Sequence, residues 1–146
     1  MNPDQPLHAT TLAQYGPGGW RGVLIQGPSG IGKSDLALRL MQQGWSLVAD
    51  DWTKLWTSGG NLYASAPPRI SGLMEVRGVG IVTLGSGYKT RAVTQVCLAV
   101  SATHDAVERL PQTPPWQWQG VAIPHLRLDP RPASASLVLC AAFAAL

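Results

Sequence analysis

Acidic side chains are scarce in this chain of 146 residues, eight in all, with Glu75 and Glu108 the only glutamates. Bases are not concentrated either, because the eleven lysines and arginines occur singly between Arg21 and Arg131. A net charge of +3 without a basic stripe excludes the electrostatic footprint of a nucleic acid partner. There are two cysteines, Cys97 in "VCLAV" and Cys140 in "LVLCAAF". Their setting excludes a CxxC site and a disulfide framework, and reads as two small buried hydrophobes. No apolar run is long enough to span a bilayer, and "MNPDQPLHATT" has neither the basic start nor the apolar stretch of a secretory signal. The expectation is a cytoplasmic protein with no membrane partner. What is present, 45% apolar and 13% charged residues, suffices to bury a core against the ordering entropy. The length predicts one domain over residues 1–146.

The patterning predicts strands interrupted by two helices. "LHATTLAQYGPGGWRGVLIQG" reads as two strands around a turn at Gly16-Pro17-Gly18-Gly19. From Ser34, "SDLALRLMQQ" has helical spacing, with Asp35 in the first turn and Gly44 at the left-handed cap position. "WSLVADD" then reads as a short buried strand ending in two acids, and "TKLWTSGGNLYAS" as a hairpin. Further strands are expected at "GIVTL" and "VCLAV", and loops over residues 85–91 and 111–120, the second carrying an exposed pair, Trp116 and Trp118. "SASLVLCAAFAAL" closes the chain as a helix apolar nearly all round, a pattern of burial on several sides. Strands outnumber helices, so the expected fold is α/β with a mixed sheet.

Gly27-x-x-x-x-Gly32-Lys33-Ser34 fulfils the Walker A pattern. In such a P-loop, glycines let consecutive backbone N–H groups curl around phosphate oxygens, the lysine adds a point charge, and the hydroxyl serves Mg²⁺. Chance would produce the four fixed positions in about one chain in a few hundred. An apolar strand before the loop and an amphipathic helix after it raise the specificity. Gly27, Pro28, Ser29, Gly30, Ile31, Gly32, Lys33 and Ser34 are therefore the candidate nucleotide-binding residues. Mg²⁺ needs further oxygen ligands, and the strand-end pair Asp50-Asp51 offers them. Neighbours on a strand point to opposite sides, so one acid can face the metal and the other an acceptor. Alone, such a pair would read as a solvated turn. In "MEVRG", Glu75 and Arg77 share one face of an extended segment while Met74 and Val76 face the core. Away from a phosphate loop, these two charges would read as a surface ion pair.

The run "GPSGIGKSDLALRLMQQGWSLVADD" together with "GLMEVRGVGIV" resembles the catalytic domain of HPr kinase/phosphorylase, from His8 to about Ile81 and more weakly beyond. That family phosphorylates a serine of HPr, the small phosphocarrier of the bacterial sugar phosphotransferase system. The resemblance implies a fold of the phosphoenolpyruvate carboxykinase-like group, with ATP and Mg²⁺ as cofactors. It makes Ser34 and Glu75 the Mg²⁺ contacts, leaves Asp50 for structural or metal-linked duties, and makes Asp51 the proton acceptor for the serine hydroxyl. His8 in "LHATTL" matches a histidine near the phosphate, and Arg109 in "VERLP" an active-site arginine whose usual glycine neighbour is proline here. The additional N-terminal domain common in the family has no counterpart, which resembles the short, single-domain proteobacterial type. "IPHLRLDPRP" stands where the family carries a "PVRPGRN"-like run for dephosphorylation, so the kinase half is better matched than the phosphorylase half. Homo-oligomers, often hexamers, are implied as well.

These readings converge on an ATP- and Mg²⁺-dependent protein serine kinase acting on HPr, with Lys33 and Arg109 neutralising charge on the moving phosphoryl group. A non-catalytic nucleotide switch would need the loop but neither a second acid nor "EVRGVG". A P-loop small-molecule kinase would normally carry an arginine-rich lid.

Overall fold

In the computed structural model, which describes residues 5–85 and 89–146, strand β1 (Leu7–Gly16) turns at Pro17-Gly18 into β2 (Gly19–Gln26) with every residue from Ala9 to Gly16 paired. Residues 9–13 of β1 and 22–25 of β2 are buried without a break, as expected of strands covered on two faces. Helix α1 (Lys33–Gln42) follows the glycine loop and ends before Gly44, which adopts φ 94°. Then come β3 (Ser46–Ala49), the hairpin β4 (Trp52–Ser58) and β5 (Asn61–Ser65), and a second hairpin of β6 (Leu73–Val76) and β7 (Gly80–Thr83). Strand β8 (Val93–Ala102), the small hairpin β9 (Trp116–Trp118) and β10 (Val121–Ile123), strand β11 (His125–Leu128) and helix α2 (Ala135–Ala144) complete the chain.

The main sheet is mixed. β8 runs parallel to β2 and β11, while β1, β2, β4 and β5 pair antiparallel in sequence. A β5–β8 pairing, antiparallel, closes β8, β2, β1, β4 and β5 into a ring. One face of the shared strands packs on the helices through Leu12, Val23, Ile25, Leu36, Leu40, Leu98, Val100, Leu139 and Phe143. The other fills the ring with Ala9, Leu24, Leu55, Leu62, Val96, Ala99 and Trp118. The β2–β8 register shifts between Gly22 and Val23, and the bulge at Cys97 switches which parity of β8 faces each core. Gly22 is required there: a Cβ would lie 2.5 Å from the Thr94 Cγ2 and 2.9 Å from the Gln95 carbonyl oxygen.

Two expectations change. Trp118 is buried inside the ring, because residues 116–123 form a hairpin whose turn residues Gln119 and Gly120 take φ 44° and 83°, the backbone of a two-residue type I′ turn. Of the loop expected over 85–91, residues 86–88 lie outside the described residues, and Thr90 bridges Leu47 on β3. Helix α2 buries Ala135, Ser136, Leu139 and Phe143 and leaves Leu137 and Val138 exposed, so one side of it is covered within this chain.

Candidate active site

At the end of β2, residues 27–32 loop over to the start of α1, whose first intrahelical bond runs from the Leu36 N–H to the Gly32 carbonyl at 3.0 Å. No side chain caps this helix start, and Ser29, Gly30, Gly32, Lys33 and Ser34 line a cleft of about 520 Å³. Gly32 sits at φ 118° with the Pro130 ring 3.1 Å from where a Cβ would be. Pro130 is anchored in turn, because Arg39 donates to the carbonyls of Pro130 and Pro132. Lys33 is almost fully buried and its Nζ donates to the carbonyls of Gly27 (2.7 Å) and Pro28 (3.0 Å). Burial pulls this ammonium below its usual pKa, and the Asp51 and Asp50 carboxylates pull it back up.

The two acids take different positions. Asp50 is 6% exposed and is held by three donors: the Ser34 hydroxyl at 2.7 Å, the Thr10 hydroxyl at 3.3 Å and the Glu75 backbone N–H at 3.0 Å. Its carboxylate therefore stitches β1, α1 and β6 together beneath the cleft. The Asp51 side chain is 48% exposed, and its Oδ1 accepts the Nε2–H of His8 at 2.6 Å. The same His8 nitrogen lies 3.4 Å from the Ser29 hydroxyl in the glycine loop.

A break in one long strand separates the acids. β3 and β4 both pair with the same edge of β1, Thr11 opposite Ala49 and His8 opposite Trp52, and Asp50-Asp51 is the step between them. The Trp52 N–H donates to the Asp50 carbonyl at 2.7 Å and Asp51 has φ 67°. This is a γ-turn in its strained, positive-φ form, which costs a non-glycine residue about 1–3 kcal/mol. Hydroxyls bridge the break: the Asp51 N–H donates to Thr10 Oγ1 at 3.0 Å and the Thr53 hydroxyl to the Ala9 carbonyl at 2.8 Å. Thr10 and Thr53 are both fully buried.

The cleft gathers most of the residues singled out in the sequence. Ser29, Gly30, Gly32, Lys33, Ser34, Asp51 and Glu75 line it, together with Asp35, Met74, Val76 and Arg77, and Asp50 and His8 lie one hydrogen bond behind. Met74 is buried and Glu75 and Arg77 are exposed, and all three, with Val76, line the cleft. Gly27 and Pro28 contribute the carbonyls that hold Lys33, and the Ile31 N–H closes the loop on Pro28 O at 3.3 Å. Arg109 stays outside, exposed on the irregular segment 103–115 and not part of the lining. Thr10 and Trp52 escaped the sequence reading. The period of a strand puts Thr10 on the face of His8, the one local signal pointing to it.

Among the described residues no group of three or more His, Cys, Asp or Glu side chains could hold a metal unaided, and no helix is long and apolar enough to cross a membrane.

A family model described as the HPr Serine kinase C-terminal domain matches residues 1–145. The HPr kinase/phosphorylase of Brevibacillus brevis is 44% identical over 97 residues, which cover 66% of this chain and 30% of that protein. Its counterpart in Streptococcus thermophilus is 37% identical over 131 residues, 84% of this chain and 41% of that protein. The chain thus spans well under half the length of these relatives. The solved structure of the Hpr(Ser) kinase/phosphatase from Coxiella burnetii aligns with a TM-score of 0.77 at 25% identity, covering 97% of this chain and 89% of that one.

Proposed function

The chain belongs to the HPr serine kinase C-terminal domain family, and from that premise we propose that it transfers a phosphoryl group from ATP to a serine hydroxyl of HPr. The observation that carries this reading is the divergence of two adjacent carboxylates, Asp50 buried on the Ser34 hydroxyl and Asp51 half-exposed over the cleft. A nucleotide switch needs the first and has no use for the second. A base must be reachable by the hydroxyl it deprotonates, and Asp51 keeps an exposed carboxylate while only its Oδ1 is engaged by His8.

In this reading the loop 27–34 takes the phosphates. Backbone N–H groups at the uncapped start of α1 and the buried Lys33 ammonium supply the positive field, at one end of the cleft of about 520 Å³. Mg²⁺ fits the donors present. It is typically held by one or two carboxylates plus waters and phosphate oxygens rather than by an all-protein cage, and the Ser34 hydroxyl and Asp50 carboxylate lie 2.7 Å apart, with Glu75 joined to Asp50 through its backbone. Ser34, Asp50 and Glu75 would hold the ion, which supplies charge neutralisation at the phosphates. Asp51 Oδ2 takes the serine proton as the hydroxyl oxygen attacks the terminal phosphorus in line; the bond from that phosphorus to the bridging oxygen breaks, ADP leaves with the electron pair, and His8, donating to Oδ1, fixes the orientation of the carboxylate. Catalysis in such a transfer is mostly positioning and electrostatics. Arg109, exposed and not among the residues that line the cleft, receives no role here.

The reaction is tested by incubating the protein with terminally labelled ATP, Mg²⁺ and purified HPr. Label on one HPr serine is expected. Label on free phosphate alone, with HPr unmodified, would rule out this acceptor.

A further inference from the structure

We propose that Trp52 is the positioning residue of Asp51: its indole, stacked on His8, holds the His8–Asp51 pair in the geometry that presents the carboxylate to the acceptor. This rests on the assignment of Asp51 as proton acceptor.

The strained turn has to be held from outside, since Asp51 has neither the freedom of glycine nor a regular ladder around it. Its backbone is secured by Thr10 Oγ1 and by the Trp52 N–H. Neither fixes its side chain. Among the described residues the only hydrogen-bond partner of the Asp51 carboxylate is His8 Nε2, at 2.6 Å, and the His8 side chain is itself 27% exposed. That nitrogen has a second oxygen within reach, Ser29 Oγ at 3.4 Å, so the imidazole has a choice between the acid and the glycine loop.

Trp52 biases that choice. Its ring centroid lies 4.8 Å from that of His8 at an interplanar angle of 26°, and backbone pairing sets the two residues directly opposite each other on β1 and β4. Thr53, the next residue, points inward and is fully buried, so alternation along the strand directs Trp52 outward beside His8. The indole nevertheless stays 46% exposed, which makes it a poor contributor to the core and places its contact at the rim of the cleft. With one imidazole face covered, His8 cannot turn away from Asp51 without breaking the stack. A stacked aromatic pair shifts such an equilibrium by about three- to tenfold.

The test compares the parent with Trp52→Ala and Trp52→Phe, and Asp51→Asn with the double variant Asp51→Asn/Trp52→Ala. Transfer to HPr is followed in single turnovers at saturating ATP, ATP affinity by calorimetry, and the protected His8 Nε2–H proton by NMR. Trp52→Ala should slow transfer about tenfold with ATP affinity unchanged, and should lose the His8 signal to solvent exchange. Trp52→Phe should restore both to within about threefold. On the Asp51→Asn background the alanine substitution should cost nothing further, because the two changes disable one unit. Parental transfer and a retained His8 signal in Trp52→Ala would overturn the proposal. So would a raised KM for HPr at unchanged kcat, which is the mark of an acceptor contact. Should Trp52→Ala not fold, Trp52→Leu, keeping bulk without a ring, takes its place. A parent that labels no HPr would defeat the proposed reaction instead. The His8 signal then decides alone: lost in Trp52→Ala and regained in Trp52→Phe it supports the positioning role, retained in both it ends it.

Discussion

The two ends of the cleft solve the same problem of unusual backbone in opposite ways. At the phosphate end, positive φ is confined to glycines: Gly27, Gly30 and Gly32 adopt 157°, 81° and 118°, conformations that need no compensation from neighbouring side chains. At the acceptor end, Asp51 adopts φ 67° with a full side chain, and Thr10, Thr53, His8 and Trp52 are arrayed around it. On the proposed reading, phosphate is bound by backbone N–H groups and the Lys33 ammonium, and the backbone share of that task needs only glycine. In the proposed reaction, taking a proton requires a carboxylate at a fixed spot, and the strained turn holds Asp51 there. The loop end therefore gets its backbone conformation from its own glycines, with Pro130 packed on Gly32 from outside, whereas the turn at Asp51 is held by side chains more than forty residues away.

Substitutions at Lys33 probe the first end most severely. Lys33→Met should reduce transfer at least about a hundredfold by removing the buried charge from the loop. The protein should remain folded, because the lost bonds to two carbonyls are worth only about 1–3 kcal/mol. Transfer within tenfold of the parent would remove the lysine from phosphate binding. Gly32→Ala should damage the same end through the backbone, costing about 2 kcal/mol from positive φ alone. The Pro130 ring, 3.1 Å from the new Cβ and tethered by Arg39, adds to that. A thermal midpoint lowered by about 4–8 °C is expected, and an unchanged midpoint would mean that the loop is looser than its geometry states. Glu75→Gln is the mildest, since its backbone N–H to Asp50 survives the change. Only the Mg²⁺ requirement should rise, by about tenfold, and an unaltered Mg²⁺ titration would take Glu75 out of the metal shell.

The same contrast explains what could be read without coordinates. The loop from Gly27 to Ser34 is contiguous and flanked by a strand and a helix, so its meaning is carried by spacing alone. The β1–β2 hairpin, both helices and the buried strand before Asp50-Asp51 announce themselves by period and by turn residues. The division of labour between Asp50 and Asp51 depends on a γ-turn that no residue type advertises, because aspartate at positive φ is held by tertiary bonds from Thr10. Trp52 lies just ahead of the hairpin read from Thr53 onward, and nothing local marks it until β1 is laid beside β4. The closure of the ring by β5 and β8 joins residues about thirty apart, beyond any local pattern. The β9–β10 hairpin turns on Gln119-Gly120, where the usual signal is asparagine or aspartate before glycine. Arg109 shows the reverse case, a residue nominated by resemblance that the fold leaves at the surface.

The division between the two ends is tested most directly by Asp51→Asn, a nearly isosteric change that leaves the Thr10, Ser34 and Glu75 contacts of the neighbouring Asp50 in place. Asparagine also tolerates the left-handed backbone, so the turn should persist. ATP affinity, measured by calorimetry in the presence of Mg²⁺, should stay within about twofold of the parent while transfer to HPr falls by at least about a hundredfold. An Asp51→Asn protein that labels HPr at the parental rate, or one that loses ATP in step with transfer, would contradict the account.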